Sequence, residues 1–262
     1  MNILVCVKPV PNPEKYADIK IDPSTKRLIR EGVPSIINPA DRNALEEALL
    51  LREQQGGKVT VLSMAPETAA DRMTECLAMG ADEAFILSDK TFAGADTFGT
   101  SKTLAKAASL IGDFDLILFG NESADGATAH VPVQVAEWLG LPHLSRISSI
   151  EAENEAFIVS RKGDSGKQRF RIKMPCVLAV NSDFNKPRFV NAMGLIKAKK
   201  KPLNVWNCAD LGLDPQEVGI GGSPTKAGAL LAPDMNRSGE SLGTDAETIA
   251  ERIARFIGKT GA

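Results

Sequence analysis

Residues 120–131 read GNESADGATAHV and combine the residue types that let a backbone close on a ligand. Gly120, Gly126 and the small Ala124, Ala127 and Ala129 leave room for close approach, and Ser123 and Thr128 carry hydroxyls that can hydrogen-bond. Asn121, Glu122, Asp125, His130 and Val131 complete the stretch, with His130 a candidate ligand contact. FDLILF (114–119) before it reads as a buried strand, and PVQVAEWLG (132–140) after it reads as a helix. Two or three residues would turn that corner. Twelve residues of this composition point instead to a ligand loop, and backbone N–H groups around Thr128 to Val131, opening the next helix, favour an anion such as phosphate. The loop is neither G-x-G-x-x-G nor a Walker A sequence, so its composition specifies a nucleotide-type ligand without saying which.

Other strand ends converge on the same place. CVKPVP (6–11), with Cys6 and Lys8, follows the first strand. INPAD (37–41), with Asn38, Pro39, Ala40 and Asp41, opens the first helix, and SMAPET (63–68), with Met64, follows the second strand. In an open parallel sheet, ligands sit outside the carboxyl ends of the strands, where strand order reverses. Hydrolytic chemistry is poorly represented: His130 and His143 are the two histidines, and no Ser/His/Asp or Cys/His pattern accompanies them. An ATP-using ligase would carry a phosphate loop directly behind the first strand, and CVKPVPNPE has none. Cys6, Cys76, Cys176 and Cys208 form no C-x-x-C pair and read as small buried residues, with no metal site expected. A net charge of −2 gives no electrostatic case for nucleic acid. No apolar run is long enough to insert in a membrane, and MNILVCVKPV lacks the basic start of a signal peptide, so a cytoplasmic location is expected.

The elements that must position these residues alternate. Strands at 2–7, 58–64, 83–87 and 115–119 are short and almost continuously apolar, as in a sheet covered on both faces. Between them lie a helix from Asn38 as N-cap and Pro39 at N1 to Gly56-Gly57, a helix in 66–80 stopped by Gly80, and a helix in 97–112 closed by Gly112. This rhythm predicts an α/β fold with a doubly wound, mainly parallel sheet. DIKID-PST-KRLIRE (18–31) reads as a hairpin interrupting the first crossover. After residue 145 the pattern becomes strands alone, an antiparallel extension ending in CVLAV (176–180). From 207 onward periodicity fades until GTDAETIAERIARFIG (243–258), where Thr244 and Glu247 form a capping box and Ile249, Ile253, Phe256 and Ile257 one apolar face. The expected division is a nucleotide-binding domain, 1–206, and an arm with its helix, 207–262, wrapping a partner chain.

Several stretches together resemble the beta subunit of electron transfer flavoprotein. They are ILVCVKPVP (3–11), INPADRNALEEALLLRE (37–53), VLSMAPE (61–67), CLAMGADEAFILSD (76–89), FAGADTFGTSKTLA (92–105), DGATAHV (125–131) and NKPRFVNAMGLIKAKKKPL (185–203). The resemblance implies a Rossmann-like fold of the adenine nucleotide alpha hydrolase type, and a heterodimer with an alpha subunit that holds most of the contacts to one flavin. It implies a second nucleotide in this chain: AMP in simple carriers, or FAD exchanging electrons with NADH in electron-bifurcating members. DGATAHV is nearer the bifurcating DGDTAQV than the carrier pattern DxDxNQTG, with Ala127 in place of an acidic residue and His130 in place of Gln. On this resemblance FAD is expected, with AMP the alternative. Its contacts are expected from Cys6, Lys8, Asn38 to Asp41, Met64 and Gly120 to Val131, with Asp96 and Thr97 of GADTFGT placed at the flavin ring. RFVNAMGLIKAKKK (188–201) matches the segment by which the family docks on flavin dehydrogenases of the acyl-CoA type. Ala192 stands where a Leu anchor is common, with Met193 and Leu195 as substitutes beside Lys197, Lys199, Lys200 and Lys201. From the residues alone, an electron-transfer subunit and a non-redox nucleotide-binding regulator both remain open.

Overall fold

The computed structural model describes residues 1–262 except 19, 22–27, 30–33, 165, 227, 229–238, 240 and 261–262. The chain divides into two compact units, Met1–Gly228 and Ala229–Ala262.

The first unit opens with β1 (Asn2–Cys6), β2 (Pro9–Pro11), β3 (Lys20–Ile21), β4 (Leu28–Ile29) and β5 (Ser35–Ile37). It continues with α1 (Pro39–Gln55), β6 (Lys58–Met64), α2 (Ala70–Met79), β7 (Glu83–Leu87), α3 (Thr97–Ile111), β8 (Leu116–Gly120) and α4 (Val131–Leu139). It ends with β9 (His143–Glu153), β10 (Ala156–Gly163), β11 (Gly166–Lys173), β12 (Cys176–Val180), α5 (Ala192–Ala198) and β13 (Leu203–Trp206). Nine strands form one sheet in the order β11-β10-β9-β12-β8-β1-β6-β7-β13. From β9 to β13 every neighbour is parallel, and β9, β10 and β11 pair antiparallel, so the expected α/β architecture with an antiparallel extension is present. The alternation of β1 explains the unbroken apolar runs. Ile3 and Val5 pack into one buried cluster with Leu45, Leu49 and Met73 of α1 and α2, while Leu4 and Cys6 pack into another with Leu104 and Ala108 of α3 and Val135 of α4.

Strand order reverses at β1: the chain runs outward through β6 and β7, then returns to place β8 on the other side. The crevice between β1 and β8 is therefore the switch point. The excursion between β1 and α1 is closed at its base by an antiparallel β2–β5 pair, Pro9↔Ile37 to Pro11↔Ser35. Farther out, β3 and β4 pair antiparallel as the hairpin reading expects, with its turn outside the described residues. The β2–β5 pair, α5, β13 and the packing of 207–223 have no counterpart in the sequence analysis. β13 adds a parallel edge to β7, Leu203↔Ala84 to Trp206↔Leu87, and its LNVW is too short and mixed to give a periodic signal. Residues 207–223 belong to the first unit, where Cys208, Leu211 and Val218 are buried in the cluster that holds Leu104 and Ala108 of α3.

In the second unit, α6 (Ala246–Thr260) carries exposed Ile253 and Phe256. Its cap differs from the expected Thr244–Glu247 box. Asp245 holds the N-cap position, its Oδ2 accepting from Thr248 N at 2.9 Å, because a carboxylate one residue nearer the helix outcompetes the hydroxyl of Thr244.

Candidate nucleotide-binding site

The carboxyl ends of β1, β6, β7 and β8 open into a cavity of about 790 Å³. Its floor at the switch point is Cys6, Lys8 and Asp41, with Met64 beside them and the start of the 120–131 loop, Gly120 to Ser123, opposite. Gly126 and Thr128 to Val131 form the loop's inner wall, and Asp96 and Thr97 close the far side at the start of α3. The structure thus gathers most of the residues singled out from the sequence around one volume. Asn38, Pro39, Ala40, Ala124, Asp125 and Ala127 do not line it; they stand behind it.

Asn38 is almost fully buried, and its side chain ties α1 to the loop. Its Nδ2 donates to Glu122 O at 2.9 Å and to Asp41 Oδ1 at 3.0 Å, and its Oδ1 accepts from Ala124 N at 3.0 Å. Asn38 is the N-cap of α1 by position, with Pro39 at N1, yet its side chain makes no capping bond, because the loop uses it. Asp41 is buried too, and its carboxylate also accepts from Lys8 N at 2.7 Å and Gly120 N at 3.1 Å. Burial pushes the Asp41 carboxyl up to about 7 despite the hydrogen bonds from Asn38, Lys8 and Gly120 that pull it down. Gly120 is required here, since a Cβ would collide with Asp41 Oδ1 and approach Asp41 N to 2.6 Å. Burial, followed by the Asp41 charge, raises the Cys6 thiol well above its ordinary value, so Cys6 lines the cavity as a neutral thiol.

The loop is pinned from outside by Lys8, whose Nζ lies 2.6 Å from Asp125 Oδ1 and 3.4 Å from Ser123 Oγ. Within it, Ala127 and Ala129 adopt φ values of 48° and 55°, a left-handed conformation that costs a residue with a Cβ on the order of 1 kcal/mol or more. Ala127 N donates back to Ser123 O at 2.8 Å, and the loop then runs into the N-terminus of α4 at His130, where the first N–H groups of a helix favour an anion. His130 is exposed and makes no side-chain cap.

At the far side Asp96 caps α3, accepting from Gly99 N at 3.0 Å, and its other oxygen accepts from Thr225 N and Oγ1 at 2.9 and 2.7 Å. Burial pushes this carboxyl upward, but the bonds from Gly99, Thr225 and Ser223 outweigh it and bring it down to about 2. Asp96 is thereby held as a carboxylate, and Thr97 begins the helix beside the cavity. The sequence reading passed over the segment after β7, where Ser88, Asp89, Lys90, Phe92 and Gly94 line the same volume. The βα rhythm could have found it, because this is the fourth strand end on the same edge.

The segment 188–201 forms a second surface. Phe189, Met193, Leu195 and Ile196 are exposed, and so are Ala192, Lys197, Lys199 and Lys200. α5 seats on α2 through Gly194, where a Cβ would approach Ala78 O to 2.5 Å. Arg188 anchors its entry by a two-pronged pair with the buried Glu46 and a 2.7 Å contact with Glu53 on α1. Lys201 departs from the expected basic patch: its Nζ donates to Leu77 O at 3.0 Å and Ala81 O at 2.6 Å, capping the carboxyl end of α2.

Among the described residues no helix is long and apolar enough to cross a membrane, and no cluster of three or more metal-ligating side chains occurs. A family model described as an electron transfer flavoprotein domain matches residues 25–211. The chain is 45% identical over 258 residues to the electron transfer flavoprotein subunit beta of Thermoanaerobacterium thermosaccharolyticum, covering 98% of each chain. It is 41% identical over 252 residues to the caffeyl-CoA reductase-Etf complex subunit CarD of Acetobacterium woodii, covering 95% of each, and 35% identical over 256 residues to Protein FixA of Azorhizobium caulinodans, covering 95% and 90%. With the family model spanning most of the sheet and these relatives aligned nearly end to end, the chain belongs to the electron transfer flavoprotein family, as a beta subunit.

Proposed function

We propose that this beta subunit holds FAD in the cavity outside β1 and β8, and that with its alpha subunit it passes electrons between NADH, or a flavin dehydrogenase of the acyl-CoA type, and another acceptor, in the manner of flavin-based electron bifurcation. The observation that carries the reading is the reach of the cavity. It runs from the 120–131 loop, suited to phosphate, to the start of α3 at Asp96 and Thr97, a span that suits a dinucleotide better than a mononucleotide. The similarity to a subunit named for a caffeyl-CoA reductase-Etf complex agrees with it. Membership of an electron-transfer family favours this over a non-redox regulator.

A bound flavin supplies the redox chemistry itself, taking a hydride and passing electrons on. The chain's own residues bind and orient. Backbone N–H groups of 128–131 would hold the phosphates, Ala129 would leave room for the chain of the ligand, and Thr97 would meet the ring or ribityl group. No side chain is asked to act as acid or base, since hydride passes between cofactors and the protein supplies distance and orientation. AMP is the second reading, favoured by Ala127, which lacks the carboxylate of the FAD-type loop pattern. The loop assignment is tested with Gly126→Val. A Cβ there would meet Ser123 Oγ at 3.3 Å, a tight contact with the far end of a small side chain that must yield by a few tenths of an ångström, so the branched side chain closes the approach to the loop backbone and folding of the variant is checked by its thermal unfolding. The heterodimer is expected to purify folded with one nucleotide fewer; unchanged nucleotide content would contradict the assignment.

A further inference from the structure

The far wall of the cavity is braced from outside it. Ala93, Gly94, Ala95, Asp96 and Thr97 line the volume between β7 and α3. Against them packs GIGGSPT (219–225), a run of turns and bends within the first unit. The two backbones come close: a Cβ on Gly219 would collide with Thr91 O, and one on Gly94 would approach Ile220 Cδ1 to 2.6 Å. Polar groups then fix the register. The buried Ser223 accepts at Oγ from Asp96 N at 2.9 Å and donates to Gly219 O. Asp96 Oδ2 accepts from Thr225 N and Oγ1, while Asp96 Oδ1 accepts from Gly99 N. Both carboxylate oxygens are therefore engaged within the protein. This network is separate from the one that braces the loop, where Asn38 and Lys8 hold Glu122, Ser123, Ala124 and Asp125.

We propose that Asp96, Ser223 and Thr225 form a latch that sets the length of ligand the cavity accepts: as positioning residues they hold the 93–97 wall where the distal half of a dinucleotide would lie, and they take no part in holding a mononucleotide at the 120–131 loop. The latch rests on the reading of this cavity as the nucleotide site. Between Phe92 and Thr97 the wall belongs to no helix or strand, so its shape depends on bonds received from outside. Asp96 acts on the ligand through that wall, since its oxygens are already bonded to Gly99 and Thr225. FAD, spanning the cavity, needs both ends in place; AMP, held at the loop, needs one.

The test titrates FAD and, separately, AMP into the full chain and its variants. Ser223→Ala combined with Thr225→Val removes both hydroxyls at little change in volume, and it should weaken FAD about tenfold while leaving AMP within about twofold. Thr225→Ser keeps the hydroxyl and should bind FAD as the unaltered chain does. If thermal unfolding shows that the double variant does not fold, Thr225→Val alone is read, with FAD weakened about threefold and AMP unchanged. Unchanged FAD affinity overturns the latch, and so does an equal loss for FAD and AMP, which is what a merely structural role would give. If FAD does not bind the unaltered chain, the FAD reading fails by itself, and the latch is judged by hydrogen exchange at the amides of Asp96 and Gly99. Their protection should fall in the double variant; unchanged protection overturns the proposal.

Discussion

Asp41 costs the fold something that it returns as geometry. Its carboxyl is raised from 3.8 to about 7, so its contribution to stability is fully present below the unfolded value near 3.8 and is lost as pH rises through about 7. A shift of this size corresponds to about 4 kcal/mol at most. We expect thermal unfolding of the nucleotide-free chain to show stability falling between about pH 4 and pH 7, and Asp41→Asn to flatten that part of the curve. An unchanged curve would mean that Asp41 is not buried as a charge. The residue types at the cleft were legible from sequence because small residues, Pro and Asn at strand ends announce a ligand edge. Their division of labour was not. Nothing in INPAD separates Asn38 and Asp41, which brace the loop, from a pair that would touch ligand, because the difference lies in partners 79 to 86 residues away.

The same limit holds among the elements. The principal strands and helices declared themselves by apolar runs and terminal glycines, with Gly56, Gly80 and Gly112 standing at the helix ends the sequence assigns them. β13 did not, since a four-residue edge strand is made by its neighbour β7 rather than by its own pattern. The lysine run divided for a similar reason: Lys201 is drawn to the open carbonyls of α2, while Lys199 and Lys200 stay exposed. Lys201→Met should therefore lower stability by about 1–2 kcal/mol and leave partner association unchanged. Lys199→Glu with Lys200→Glu should leave stability within about 0.5 kcal/mol and slow association with a dehydrogenase, most strongly at low salt. Equal effects of the two variants on association rate would contradict this division.

At the scale of the molecule, the cleft and the 188–201 surface share two helices. α1 begins at Asn38 and Asp41 in the cleft and carries Glu46 and Glu53, which hold Arg188; α2 follows β6, which ends at Met64 in the cavity, and it seats Gly194 and Lys201. One sheet and the helices packed on it thus carry both the cavity and the exposed 188–201 segment, and the proposed electron transfer would rely on that fixed spacing. The resemblance read from short motifs extends over the whole chain because those motifs are the strand ends and helix starts that build this arrangement. The central claim concerns what the cavity holds. Denaturing the purified heterodimer and counting the released FAD and AMP decides it: two FAD per heterodimer is the expected result, and one FAD with one AMP would contradict it.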